Sequence, residues 1–158
     1  MRYLTDALLS WDRVASLSRW TAQHACGAVV TFVGIVRADC HGSRTVSALY
    51  YDAYREMAER QIQHLVTEAQ ARWPLDALQI QHRVGRVEVG QLSVVIAVAS
   101  QHRAEAYAAS AFLIDGIKHQ APIWKRELYD DDSSQWVKCI EEERVVPAES
   151  FGAVHAHV

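Results

Sequence analysis

The stretch LSVVIAVASQHRAEAYAASAFLIDGIK, residues 92–118, decides the fold, because a strand and a helix follow each other in it without a linker. Residues 92–99 are almost all apolar and rich in β-branched side chains, which predicts a buried strand. Ser100 is a favourable N-cap residue, so we expect the helix to run from there to about Lys118. The predicted buried set of this helix is Tyr107, Ala108, Ala111, Phe112, Ile114 and Ile117.

Further strands and helices are predicted on both sides of this unit. They are an amphipathic helix over residues 7–20, a well-buried strand over 27–37, a strand over 46–51, a helix over 55–73, a strand over 78–89 and a last strand over 123–129. Gly90-Gln91 supplies a tight turn, and Pro122 forces extended backbone before the last strand. Strands this close in sequence pair antiparallel. The sequence thus predicts an α+β fold, a mainly antiparallel sheet with packed helices.

Length and composition limit the class of protein. The chain has 158 residues, 50% of them apolar, which suits a single domain over residues 1–140. We expect residues 141–158, which begin with three glutamates, to be a flexible tail or to lie at an interface. The net charge of −3 gives no reason to expect nucleic-acid binding. The chain begins without a signal-peptide pattern and contains no membrane-spanning run, so we expect it in the cytoplasm.

The start of the helix after residue 100 is a candidate anion site. His102 and Arg103 occupy a helix N-terminus, where the helix dipole and unpaired N–H groups favour acidic residues. A phosphate bound there would explain two basic side chains at the positive end of a helix. The simpler alternative is that both side chains point into solvent.

Further basic residues could join this site. Arg37 follows an apolar strand and could form paired hydrogen bonds with phosphate or carboxylate, or could be an exposed strand-end charge. Of the 16 Lys and Arg residues only Lys118, Lys125 and Lys138 are lysines. Lys118 also suits a helix C-terminus for structural reasons, whereas Lys125 has less structural reason for its place. Together these cations would attract an anionic substrate and supply an amine for proton transfer.

The cysteines and histidines give weaker indications of a functional site than the basic residues do. Cys26, Cys40 and Cys139 are odd in number and far apart, so they predict neither a disulfide framework nor a zinc site. Cys40, in the loop after Arg37, is the one alternative nucleophile among them. No histidine spacing indicates a metal site, and we expect none.

Five blocks of the sequence, in order, resemble the catalytic (large) subunit family of molybdopterin synthase. They are Gly27 to Arg37, Arg72-Trp73-Pro74, His82-Arg83-Val84-Gly85, Ser100-Gln101-His102-Arg103 and Lys118-His119-Gln120-Ala121-Pro122-Ile123-Trp124-Lys125-Arg126-Glu127. The resemblance spans roughly residues 25–137, and its last block is the most specific signature.

The resemblance implies an α/β-hammerhead fold and a sulfurtransferase. Such an enzyme converts cyclic pyranopterin monophosphate (precursor Z) to molybdopterin in molybdenum cofactor biosynthesis. The sulfur comes from the C-terminal thiocarboxylate of a small ubiquitin-like partner subunit that ends in Gly-Gly. The resemblance further implies a homodimer as the core of a heterotetramer, and no resident cofactor, since the product is itself the pterin precursor of the cofactor.

The resemblance also implies roles for single residues. Lys118 and Lys125 would be the catalytic pair, with Lys118 at the partner's carboxyl terminus and Lys125 at the pterin. The substrate would be bound by Ile35 (through its backbone), Val36, Arg37, His102, Arg103, Lys118, Lys125, Arg126 and Glu127. A basic residue of the C-terminal region, Lys138 or Arg144, could complete the site.

A non-enzymatic alternative remains at this stage. A small α+β domain could be a regulatory module that binds a phosphorylated metabolite through Arg37 and Arg103. Such a module would have no need of Lys125, and it would form no stable complex with a small protein ending in Gly-Gly.

Overall fold

A computed structural model describes residues 2–22 and 25–137. Within these ranges the elements, in chain order, are β1 (Leu4–Thr5), α1 (Trp11–Thr21), β2 (Ala28–Ile35), β3 (Cys40–His41), β4 (Arg44–Ala53), α2 (Arg55–Arg72), β5 (Leu75–Arg83), β6 (Gly85–Glu88), β7 (Leu92–Ser100), α3 (Arg103–Gln120), β8 (Ile123–Tyr129) and β9 (Ser134–Val137). The strands form two sheets, and the predicted α+β fold with mainly antiparallel pairing is confirmed. None of the helices in the described ranges is long and apolar enough to cross a membrane.

The first sheet has the strand order β1-β5-β7-β2 and carries the main core. Every residue of β7 is buried, as its apolar sequence predicts, and β7 pairs antiparallel with both β5 and β2. Helices α2 and α3 cover this sheet, so that Ile62, Leu65, Ile96 and Leu113 are fully buried between the layers. The two-residue strand β1 pairs parallel with β5 and is too short to leave a sequence signal.

Strand β2 is less buried than its sequence predicts. Its residues are half-buried from Ala28 to Gly34, and Ile35 is exposed. The prediction of a well-buried strand is wrong because β2 lies at the edge of the sheet, with β7 as its one ladder partner among the described residues. An apolar run does not reveal whether a strand is central or at an edge.

The second sheet is built around β4. Strand β8 pairs along one side of β4, strands β3 and β6 pair along the other, and β9 pairs with the outer edge of β8. The predicted strand over 123–129 is confirmed, but it is not the last strand, because β9 follows it and pairs with it. The predicted single strand over 78–89 is wrong, because Gly85, with φ of 81°, separates β5 from β6 and sends the chain from the first sheet to the second.

Helix α2 begins at Arg55, as predicted, whereas α1 and α3 begin later than the sequence suggests. Helix α1 begins at Trp11 rather than residue 7. Its N-cap is Ser10, whose side chain accepts a hydrogen bond from the Arg13 amide. Ser100 does not cap α3: it ends β7, and its hydroxyl donates to the Pro74 carbonyl at 2.9 Å.

The N-cap residue of α3 is His102, and the buried face of the helix also differs from the prediction. It consists of Ala106, Ala109, Ser110, Leu113, Ile114, Gly116 and Ile117, whereas Tyr107 is exposed. The predicted tail, 141–158, lies outside the described residues.

Candidate active site

The two candidate lysines lie on either side of the corner between α3 and β8. Lys118 is in the last turn of α3 and is exposed, while Lys125 is the third residue of β8 and is half-buried. The corner itself is fixed by backbone hydrogen bonds: the Tyr54 amide donates to the Pro122 carbonyl at 3.2 Å, and the Ile123 amide to that of Ala121 at 2.7 Å. The rigid corner sets where both lysine side chains begin.

The register of β8 places neighbouring residues at the end of the last sequence block, Lys118 to Glu127, on opposite faces of the second sheet. Residues directly opposite each other on antiparallel strands share a face, and neighbours along a strand alternate. Lys125 lies opposite Tyr51, Glu127 opposite Leu49, and Arg126 opposite Tyr50. Lys125 and Glu127 therefore share one face of the sheet, and Arg126 is on the other.

Arg126 is held between two aromatic rings on its face. Its guanidinium carbon lies 5.3 Å from the ring centres of both Tyr50 and Trp136, the residues opposite it on β4 and β9. Cation–π contacts of this kind fix a side chain in place. Substrate binding by Arg126 stays a prediction, but within one chain the guanidinium points away from the face of Lys125.

Glu127 is the centre of a small hydrogen-bonded cluster. This carboxylate is 8% exposed, accepts a hydrogen bond from the Tyr129 hydroxyl at 2.8 Å, and lies 3.2 Å from Nε2 of His41. Burial, and secondly the bond to Glu127, raise the pKa of Tyr129, so its hydroxyl stays protonated as a donor. An open groove beside the cluster is lined by His41, Glu127, Tyr129, Gln135, Trp136 and Val137.

The sequence did not point to His41 as a neighbour of Glu127. The two residues are 86 positions apart, and the short hairpin of β3 and β4 brings His41 over the sheet. The signal available in the sequence was the turn His41-Gly42-Ser43-Arg44, in which Gly42 has φ of 67°.

A buried histidine of the first sheet contacts the cross-strand neighbour of Lys125. The ring of Tyr51, the cross-strand neighbour of Lys125, contacts the ring of His82 edge-on at 5.2 Å between centres. Burial lowers the pKa of His82 to about 4, only partly offset by its hydrogen bond to the Arg83 carbonyl. His82 is therefore neutral near pH 7, and its Nδ1–H donates to that carbonyl.

Arg37 lies beyond the end of β2 and is already paired. Its guanidinium donates to Oδ2 of Asp39 at 3.0 Å, and most of its side chain is exposed. Val36, just before it, is 2% exposed and anchors this segment to the turn between β6 and β7. Arg37 is thus on the surface, at a place fixed by its buried neighbour.

Arg37 and Arg103 lie at opposite ends of the β2–β7 ladder. The ladder pairs Ala28 with Ser100 at one end and Ile35 with Leu92 at the other. At about 3.3 Å per residue, the seven steps between these pairs span roughly 23 Å. His102 and Arg103 are exposed at the first end. One copy of the chain therefore does not bring Arg37 and Arg103 into a single pocket.

The remaining candidates add little to the site. Cys40 is exposed, and its sulfur lies 3.8 Å from the Thr45 hydroxyl. In the described ranges, 2–22 and 25–137, no group of three or more His, Cys, Asp or Glu residues could hold a metal ion. Lys138 and Arg144 lie outside the described residues.

Comparison with known proteins decides the family. A protein-family model described as MoaE protein matches residues 4–120, well over half of the chain. The chain belongs to the MoaE family. The part of it that matches the MoaE model includes Arg37, His102, Arg103 and Lys118, and it ends just before β8.

Relatives of this MoaE chain have been named as catalytic subunits. The molybdopterin synthase catalytic subunit of a Nostoc species is 42% identical over 135 residues, which covers 85% of this chain and 79% of that protein. The human protein of the same name is 38% identical over 132 residues, 84% of this chain and 68% of that one.

A solved structure agrees with the assignment to the MoaE family. The molybdopterin synthase of Staphylococcus aureus matches with a TM-score of 0.74 at 31% identity, covering 86% of this chain and 96% of that chain. The family and the fold predicted from the sequence blocks are confirmed.

Proposed function

We propose that this chain is the catalytic subunit of a molybdopterin synthase and transfers sulfur to cyclic pyranopterin monophosphate in the cytoplasm. The observation that carries the proposal is its 42% identity, over most of both chains, to a protein of that name. The geometry supports it, because the last sequence block forms a rigid corner with one lysine on each side. A regulatory module would not require this arrangement.

The proposed reaction brings two anions together. In each of two successive transfers, the sulfur of a thiocarboxylate on the partner's C-terminus bonds to a carbon of the pterin as a carbon–oxygen bond at that carbon breaks. The first transfer displaces an ester oxygen of the cyclic phosphate, which stays attached through its other oxygen, and the second displaces an oxygen that leaves as water. Each transfer gives a thioester between the two molecules. Water then attacks the thioester carbonyl, the carbon–sulfur bond to the partner breaks, and the partner leaves as a carboxylate with sulfur retained on the pterin. Positive side chains screen the two reactants from each other and stabilise the charged tetrahedral species.

Each candidate residue has a part in this proposal. Lys118 would contact the partner's terminal carboxyl group, and Lys125 would contact the pterin and carry protons. Arg37 would bind phosphate, for which its planar guanidinium is suited. Glu127, held by Tyr129 and His41, would keep a fixed negative charge on the face of Lys125 and so orient its ammonium group.

A second copy of the chain would complete the site. Strand β2 is eight residues long, carries no charged side chain, is half-buried, and has one edge without a ladder partner among the described residues. Such an edge favours pairing with another chain. A two-fold axis beside the middle of β2 would bring the Arg103 end of one copy next to the Arg37 end of the other.

The small subunit is the remaining component of the proposal. The relatives are named as subunits, so each works with at least one other chain. We propose that the partner here is a small ubiquitin-like protein with a C-terminal Gly-Gly thiocarboxylate, and that two of each chain form a heterotetramer. No resident cofactor is needed for this chemistry.

A sulfur-transfer assay tests the proposal. Purified protein, thiocarboxylated small subunit and pterin precursor should give molybdopterin, and Lys118→Ala should reduce turnover by a factor of at least about 100 with an unchanged melting temperature, because a transition-state contact is lost. Cys40→Ala is the matched control and should keep wild-type activity. Wild-type turnover in Lys118→Ala would refute the assigned role, and inactivity of Cys40→Ala would favour a persulfide route.

A further inference from the structure

The block His82-Arg83-Val84-Gly85 contains a buried arginine to which the proposed chemistry gives no role. Arg83 is 7% exposed, and no carboxylate in the described ranges forms an ion pair with it. Glu88 is engaged by Arg86 at 2.6 Å, which is the main cause that lowers the pKa of this carboxyl, and the charge of Arg83 contributes less. Burying a guanidinium without a carboxylate is costly, so its hydrogen bonds indicate what it holds in place.

The guanidinium of Arg83 fastens the turn that joins β6 to β7. One terminal nitrogen donates to Oε1 of Gln91 at 2.9 Å, and the other donates to the Arg86 carbonyl at 2.9 Å. The same Oε1 accepts the Glu88 amide at 3.2 Å. Arg83, the last residue of β5, thus holds β6 through the Arg86 carbonyl and the end of the turn through Gln91, whose side chain also binds the last residue of β6.

The turn between β6 and β7 also holds the segment that carries Arg37. The Gln91 carbonyl accepts the Val36 amide at 3.1 Å, and the Gly90 amide donates to the Val36 carbonyl at 2.9 Å. Val36 therefore makes both of its backbone hydrogen bonds to the fastened turn, immediately before Arg37. The position of Arg37 depends on these contacts, because its own side chain is paired with Asp39, a residue of the same loop.

We infer that Arg83 and Gln91 are positioning residues that fix the backbone of Val36 and thereby place Arg37 against the anionic substrate. The effect of these two residues on the reaction rests on the proposed function. The link from Arg83 through Gln91 to Val36 rests on the hydrogen bonds alone. The inference also gives the His82-Arg83 block a purpose: His82 packs against Tyr51, the cross-strand neighbour of Lys125, and Arg83 sets the place of Arg37.

Gln91→Ala tests the link with little disturbance of the core, because this side chain is only half-buried. In the sulfur-transfer assay it should raise the KM for the pterin by about five- to tenfold with kcat nearly unchanged, as expected when a binding contact is misplaced. Gln91→Glu keeps the oxygen that accepts from Arg83 and should restore the KM. Gln81→Ala, which removes a similar 2.9 Å bond from Arg13, is the matched control and should change neither constant.

A double-mutant cycle with Arg37→Ala separates positioning from a general structural effect. If Gln91 acts through Arg37, Gln91→Ala should add less than about a twofold change in KM when Arg37 is already alanine. A full additional effect in that background, or no effect of Gln91→Ala in the wild type, would overturn the inference.

Amide hydrogen exchange examines the mechanical link without any substrate. Gln91→Ala should speed exchange in the segment containing Val36 while leaving α2 and α3 unchanged, and equal protection of Val36 in both proteins would overturn the link. If Arg37→Ala alone leaves the KM unchanged, the phosphate-binding part of the proposed function fails, together with the effect of the link on the reaction. Faster exchange of Val36 would still establish the link itself.

Discussion

At the residue scale, the charges of the site differ in how far the chain already neutralises them. Arg37 is paired with Asp39, Arg126 lies between two rings, and Glu127 is held by Tyr129 and His41. In the proposed function the substrate phosphate competes with Asp39 for Arg37, whereas the contacts of Arg126 and Glu127 help to fix the strand. The two arginines, Arg37 and Arg126, therefore differ in how available they are to a ligand.

Asp39→Asn tests the competition for Arg37. Removing the carboxylate should lower the Kd for the pterin phosphate by about two- to fivefold, because an exposed ion pair contributes about 0–1 kcal/mol. Isothermal titration with the precursor, in the absence of the partner, measures the change. Weaker binding would show that Asp39 orients Arg37 for the phosphate instead of competing with it.

At the element scale, the fit of α3 against α2 depends on a small residue. A Cβ placed on Gly116 would lie 2.6 Å from Cδ2 of Leu65, and Leu65 is fully buried, so its side chain would have to shift within the core. Because the last turn of α3 carries Lys118, the fit of these two helices also sets the position of a side chain to which we assign a catalytic role.

Gly116→Ala should lower the free energy of unfolding by about 1–3 kcal/mol, since overpacking outweighs the gain in helix propensity. Adding Leu65→Val removes the clashing atoms and should recover part of this loss, even though Leu65→Val alone is destabilising. Chemical denaturation of the three variants measures both effects. Additive losses in the double variant would contradict the steric explanation.

Elements with strong local signals were predictable from the sequence, and elements set by distant contacts were not. The apolar run of β7, the helix ended by Pro74 and the strand after Pro122 all follow from neighbouring residues. The edge position of β2, the pairing of β1 and the contact between His41 and Glu127 depend on partners far along the chain. For the same reason the sequence suggested the cationic side chains but not the separation of Arg37 from Arg103.

At the scale of the whole molecule, the contact between the two sheets makes stability depend on pH. The pKa of His82 is about 4 in the folded protein and near 6.5 when exposed. Below pH 6.5 the unfolded chain therefore binds a proton that the folded chain does not, so stability falls as the pH is lowered from 6.5 to 4. Above pH 6.5 this histidine has no further effect.

Denaturation at a series of pH values measures the effect of His82. The shift corresponds to a loss of roughly 3 kcal/mol across this window, an order-of-magnitude figure from 1.36 kcal/mol per pKa unit. His82→Gln does not titrate and should flatten the curve between pH 6.5 and 4. An equally steep curve in that variant would assign the pH dependence to other groups.

Completion of the site by a second copy predicts complementation. At a precursor concentration well below the wild-type KM, Arg37→Ala and Arg103→Ala should each show only a small fraction of wild-type turnover, because every site would lack one substrate-binding guanidinium. After joint unfolding and refolding, a mixed dimer would contain one site with both arginines intact, and activity should return to roughly a quarter of wild type in a statistical mixture. No recovery in a mixture shown by mass spectrometry to contain mixed dimers would contradict the shared site.

The most direct test of the proposed sulfur transfer is the stoichiometry of thiocarboxylate consumption, which is measured from the intact mass of the small subunit. The wild-type chain should consume two thiocarboxylates for each molybdopterin formed, and Lys118→Ala should leave the thiocarboxylate intact at the same protein concentration. Undiminished consumption by Lys118→Ala, or a wild-type protein that binds precursor and partner but leaves the sulfur on the partner, would contradict the assignment.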